Sequence, residues 1–121
     1  MSAKVKDLMS RSIVAVNRST QIEVALKLLR NARVGLAVVI EGGKVIGTVA
    51  KEDLEKKKKG RVDEVMNPPI VVEESEDVEA AAKKMVKNNI TRVAVVNSYR
   101  EMMCVGIITS TEVAKEIKKR S

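Results

Sequence analysis

The stretch VKDLMSRSIVAVNRSTQIEVALKLLRNARVGLAVVIEGGKVIGTVAKEDL, from Val5 to Leu54, is answered by VDEVMNPPIVVEESEDVEAAAKKMVKNNITRVAVVNSYREMMCVGIITSTEVAKEI, from Val62 to Ile117. Met9 aligns with Met66, Ala25 with Ala81, Val34 with Ile90, Gly47 with Gly106 and Asp53 with Glu112. The offset drifts only between 56 and 59 residues, so a few single-residue insertions account for it. Ordered matches of this kind mark a duplicated supersecondary unit. The repeat divides the chain into residues 1–59 and 60–121, with the KKKKG stretch at 56–60 as the linker.

Each half reads alike. A short helical opening ends at the methionine, and a β-branched run follows, Ile13 to Val16 and Ile70 to Val72. An amphipathic helix comes next. Thr20 and Glu23 fit a Ser/Thr-x-x-Glu capping box, and Ser75 precedes two acids suited to a helix start. Ile22, Ala25, Leu26 and Leu29 form the apolar stripe of the first helix, and Val78, Ala81, Ala82, Met85 and Val86 that of the second. Two strands follow in each half. Leu36 to Ile40 and Lys44 to Val49 flank Glu41-Gly42-Gly43, where glycine supplies the positive φ of a tight turn. Val93 to Val96 and Met103 to Ile108 flank a longer polar loop, Asn97 to Glu101, and a helix closes each unit. The expected fold is therefore α/β (α+β): two β-α-β-β-α repeats packed through their sheets with pseudo-twofold symmetry. A unit of under 60 residues would bury only about 60% of its unfolded surface, so a pair sharing one core makes physical sense. A cleft between two such units is a natural ligand site.

Composition limits the function. The chain has 121 residues, 45% apolar and 32% charged, with no His, Phe or Trp and one tyrosine, so the core is aliphatic. No apolar run approaches the roughly 18 residues that span a bilayer. The start MSAKVKDLMS has no apolar stretch of signal-peptide length. With a single cysteine, Cys104, in an apolar run, no intrachain disulfide can form. A cytoplasmic, reducing location without membrane attachment is expected. The Lys/Glu-rich composition leans towards a thermophile. Without histidine the commonest general base and metal ligand is absent, and Cys104 has no partner base, so neither catalytic residues nor a metal are expected. The cluster Glu73, Glu74, Glu76, Asp77 and Glu79 reads as a solvated helix start matched to the dipole. The net charge of +7 raises nucleic acid as a partner, through Lys56 to Lys59 and the basic C-terminus. Aromatic stacking platforms are nearly absent, which disfavours that reading.

The residues also carry a family resemblance. Val5-Lys6-Asp7-Leu8-Met9 and Val62-Asp63-Glu64-Val65-Met66, then Ala37-Val38-Val39 and Ala94-Val95-Val96, then GTVAKED at 47–53 and GIITSTE at 106–112, resemble the motifs of cystathionine-β-synthase (CBS) domains. The chain is similar to a stand-alone tandem pair, or Bateman module. In the strand motif alanine stands where the family has proline. The closing motif has the form Gly-h-h-(Thr/Ser)-x-x-(Asp/Asn), which begins at Gly47 and at Gly106.

The resemblance implies a regulatory, energy-sensing module that binds an adenine nucleotide (AMP, ADP or ATP) or an adenosyl compound such as S-adenosylmethionine. No other cofactor is implied. It assigns ribose to Asp53 and Glu112 and phosphate to Thr109, with Ser110 and Thr111 beside it, at a strand-to-helix turn that favours anions. Main chain at Ile13 and Val14, and at Ile70 and Val71, would meet adenine, and Lys51 and Arg92 would add positive charge. Ala50 and Glu112 depart from the motif, so the two sites are expected to be unequal. The family also implies a homodimer and a separate effector protein. A nucleic-acid or protein-interaction adaptor is the alternative reading.

Overall fold

The computed structural model describes residues 3–120. In chain order its elements are α1 (Val5–Leu8), β1 (Val14–Val16), α2 (Ile22–Ala32), β2 (Leu36–Glu41), β3 (Lys44–Ala50), α3 (Lys51–Lys57), a single 3₁₀ turn (Val62–Glu64), β4 (Val71–Glu73), α4 (Val78–Asn88), β5 (Arg92–Val96), β6 (Cys104–Thr109) and α5 (Ser110–Lys119). They build two three-stranded sheets, ordered β1-β2-β3 and β4-β5-β6. In each, the first pair is parallel and the second antiparallel. The mixed α+β architecture of two repeats thus stands as the alternation of patterns implied.

The Gly42-Gly43 turn joins β2 to β3 with φ of +58° and +79°, so both central residues occupy the left-handed region that only a primed hairpin turn requires. The counterpart loop between β5 and β6 lacks this glycine pair. Asn97 closes it instead, its side-chain carbonyl accepting from the amides of Ser98 at 2.8 Å and Met103 at 3.1 Å. Both hairpins carry a register shift at the same place, between Val39 and Ile40 and between Val95 and Val96.

Two compact units result, and neither is a contiguous repeat. One spans Ser12–Pro69, and the other takes the described residues up to Arg11 together with those from Ile70 onward. The core of the first holds Ile22, Leu29, Val39, Val49, Leu54 and Val62, and that of the second Val5, Val72, Val78, Val93, Ile108 and Val113. Val5 and Val62, the opening residues of the two repeats, are each buried in the core built mostly by the other copy.

Backbone hydrogen bonds fix that exchange. Thr48 N–H donates to the Asn67 carbonyl at 3.1 Å and Asn67 N–H to the Thr48 carbonyl at 2.8 Å. Ser10 and Ile107 exchange the same pair at 2.8 and 2.9 Å. The adjoining glycines make this approach feasible. A Cβ on Gly47 would lie 2.8 Å from the Asn67 oxygen, and one on Gly106 only 2.7 Å from the Ser10 oxygen and 2.6 Å from the Met9 sulfur.

Helix starts differ from the sequence expectation. Thr20 makes no capping box with Glu23. Its hydroxyl donates to the Asn17 side chain at 3.2 Å and accepts from the Asn17 amide at 3.1 Å, closing a local turn. The cap residue of α2 is Gln21, and the Gly60 carbonyl takes the Ile22 amide at 2.9 Å. In α4 the cap is Asp77, two residues beyond Ser75, with its carboxylate accepting from the Glu79 amide at 3.0 Å. Val86 does not belong to the buried stripe of α4; it is 83% exposed. Each helix ends in a left-handed residue, Arg33 for α2 and Asn89 for α4.

Candidate functional site

The closing motif of the first repeat lies where β3 turns into α3. Ala50, the residue before the helix, offers no hydroxyl, and the Lys51 amide donates to the Gly35 carbonyl at 2.9 Å. Asp53 sits half-buried in the first helical turn. Its carboxylate makes no side-chain hydrogen bond or ion pair among the described residues. It lines a pocket of about 490 Å³ with Lys56, Lys57, Val65 and Asn67. Lys51, also half-buried, is not among the residues lining it.

Ile13 and Val14 occupy another place in the same unit. With Ala15 they line a pocket of about 470 Å³ against Leu28, Asn31 and Ala32 of α2. Since β1 lies at the edge of its sheet, backbone groups on its outer side take no part in the ladder. The two pockets share no lining residue. Gly47 is buried, and the contact its bare Cα faces is Asn67.

The second closing motif belongs to the other unit and has a different local chemistry. The Thr109 hydroxyl donates to Glu112 Oε1 at 2.6 Å, and the Thr109 amide reaches the same oxygen at 3.3 Å. Ser110 is half-buried and its amide donates to the Thr91 carbonyl at 2.8 Å, while Thr111 is exposed. Arg92 pairs in register with Thr109 across β5 and β6, which brings a guanidinium-bearing residue beside the motif. Ile70 stands just ahead of β4, half-buried, and Val71 is buried opposite Ala94. Gly106 is buried against Met9 and Ser10.

Other reactive groups are occupied. Burial pushes the Cys104 thiol above its ordinary range, and its S–H donates to the Gly106 carbonyl at 3.5 Å. Glu73 accepts from the Tyr99 amide at 2.7 Å and Glu76 from the Tyr99 hydroxyl, while Asp77 and Glu79 pair with Arg120 at 3.4 and 3.1 Å. No helix of the described residues is long and apolar enough to cross a membrane. Sequence reasoning missed Asn67, and it read Lys56 and Lys57 only as part of the basic linker. Their i, i+3, i+4 relation to Asp53 is the signal that could have placed them on its face.

The family model for the CBS domain matches this chain twice, over residues 5–60 and 62–119. The chain belongs to the CBS domain family. Among solved structures, the CBS domain pair of protein MJ0100, in complex with 5′-methylthioadenosine and S-adenosyl-L-methionine, is 27% identical, covers 100% of both chains and superposes with a TM-score of 0.86. The structure of CBSX2 in complex with AMP is also 27% identical, covers 97% of each chain and gives a TM-score of 0.78. The L-aspartate semialdehyde sulfurtransferase of Methanocaldococcus jannaschii is 33% identical over 116 residues, 92% of this CBS pair but only 22% of that enzyme. The chain spans less than half the length of the curated relatives it matches.

Proposed function

We propose that this CBS pair is a regulatory module that binds an adenine nucleotide or a related adenosyl compound and performs no reaction of its own. The observation that carries this reading is the match to the MJ0100 CBS pair, end to end, at 27% identity, a protein whose crystal structure holds two adenosyl ligands. Asp53 supports it from within the chain, because a carboxylate with no internal partner is free to accept from the two hydroxyls of a ribose. Thr109 is the weaker contributor, since its proton is already given to Glu112 and a phosphate would have to displace that bond. Adenine would hydrogen-bond to main chain at Ile13 and Val14, or at Ile70 and Val71.

Binding would be reported to a separate effector. Val24 and Leu28 stand four residues apart on α2 with 48% and 42% of their surfaces exposed, an apolar face suited to a second copy in a homodimer. The sequence has no histidine, and burial raises the Cys104 thiol above its ordinary range, so the described residues offer neither an imidazole base nor an activated thiolate.

Thermal melts against adenosine, AMP, ADP, ATP, methylthioadenosine and S-adenosylmethionine test this. A ligand at 100 times its Kd stabilises by about 2.7 kcal/mol. In a chain of this size that is a rise on the order of 10 °C. No shift with any of the six ends the reading. A full shift in Asp53→Ala removes only the ribose assignment.

A further inference from the structure

The two repeats present the same helical face with opposite charge. Asp53, Lys56 and Lys57 of α3 correspond, at an offset of 59, to Glu112, Lys115 and Glu116 of α5. One carboxylate against two ammonium groups leaves the first face at +1. Two carboxylates against one ammonium leave the second at −1.

The faces also differ in what remains to be bonded. On α5, Glu112 is tied to Thr109 at 2.6 Å, and Glu116 pairs with Arg120 at 3.7 Å. On α3, the structure gives Asp53, Lys56, Lys57 and the Asn67 side chain no hydrogen bond or ion pair with any described residue, although all four line one pocket of about 490 Å³. Val65 supplies that pocket's apolar wall. Its hydrogen-bonding capacity is thus unspent and its charge is positive.

We propose that the Asp53 pocket selects phosphorylated adenosyl ligands, nucleoside mono- or polyphosphates, over uncharged adenosyl compounds. Asp53 takes the ribose hydroxyls, and Lys56 and Lys57, which line the same pocket, meet the phosphate. This rests on the adenosyl-binding reading above. Two exposed ammonium groups acting on a phosphate dianion through a partly solvated pocket are worth on the order of a tenfold preference, and salt erodes it.

Titration calorimetry of the full chain with AMP, ATP, adenosine and methylthioadenosine tests the proposal. The expected result is AMP binding about tenfold or more tighter than adenosine and methylthioadenosine. That ratio should collapse towards one in Lys56→Gln/Lys57→Gln, with methylthioadenosine affinity retained. Lys58→Gln/Lys59→Gln removes the same charge outside the pocket and should keep most of the preference. Equal affinity for AMP and methylthioadenosine overturns the proposal while leaving adenosyl binding in place. So does an equal loss in the two double variants, which would assign the effect to the general basic field. Failure of all four compounds to bind overturns the adenosyl-binding reading itself.

Discussion

The Thr109 hydroxyl donates to the Glu112 carboxylate across 2.6 Å, whereas at the matching positions of the first repeat Ala50 leaves Asp53 without that donor. One motif, copied twice, has become a helix cap in one place and an open carboxylate in the other. The cap has a measurable cost of removal. Thr109→Ala should destabilise the fold by about 1 kcal/mol. That corresponds to roughly 3–6 °C in a melt of a chain this size. Thr109→Ser, which keeps the hydroxyl, should restore most of it, and an unchanged Tm for the alanine variant would show that the bond contributes nothing.

Gly106 and Gly47 allow a backbone approach that any side chain would obstruct. At Gly106 a methyl group would meet a carbonyl oxygen at 2.7 Å, and that oxygen is held by the Ser10–Ile107 pair of bonds. Gly106→Ala should therefore cost about 1–3 kcal/mol. Hydrogen exchange should localise the damage, with the Ser10 and Ile107 amides losing protection before those of β4 and β5. Unchanged protection at both amides would count against this account.

Tyr99 is the single aromatic residue, so tyrosinate absorbance reports it alone. Its hydroxyl is pushed up to about 12, first by burial and then by its hydrogen bond to Glu76. A group whose folded pKa is raised contributes stability that is fully present below its unfolded value, about 10 for tyrosine, and is lost as pH rises through the folded value. The contribution should fade between about pH 10 and pH 12. An ultraviolet titration should give a midpoint near 12, and Glu76→Gln should lower it. A midpoint at the ordinary value would refute the contact.

Salt separates nucleotide sensing from nucleic-acid binding. Binding that neutralises several backbone phosphates weakens by orders of magnitude between about 50 and 200 mM salt. Any oligonucleotide held by the Lys56 to Lys59 run should be released in that range. AMP, held in addition by a ribose carboxylate and by burial of its base, should weaken far less. Retention of a single-stranded oligonucleotide at 200 mM would favour the adaptor reading instead.

Much of this fold was readable before any coordinates. Hydrophobic period and turn chemistry located all six strands to within a residue or two, and the Gly42-Gly43 pair fixed the first hairpin. Helix caps were less legible, because Thr20 has a nearer partner in Asn17 and the Ile22 amide finds the distant Gly60 carbonyl. The exchange of opening segments left no trace in the repeat, since an alignment records which residues resemble each other and not which ones touch. The same limit hid the Asp53 pocket. Sequence shows Lys56 and Lys57 on the face of Asp53, but only the fold brings Val65 and Asn67 to it.

The exchange also decides where this chain can be divided. The two units are joined by two covalent crossings, at Arg11–Ser12 and at Pro69–Ile70, and the lysine-rich run between the repeats falls inside one of them. A fragment cut at that run would keep Met66 and Asn67 but lose Thr48, the residue Asn67 bonds to, and would leave Ile107 without Ser10. A lone repeat could fill both positions only by trading its opening segment with a second molecule. In topology the tandem chain is a swapped dimer written into one polypeptide, and neither repeat is a detachable part.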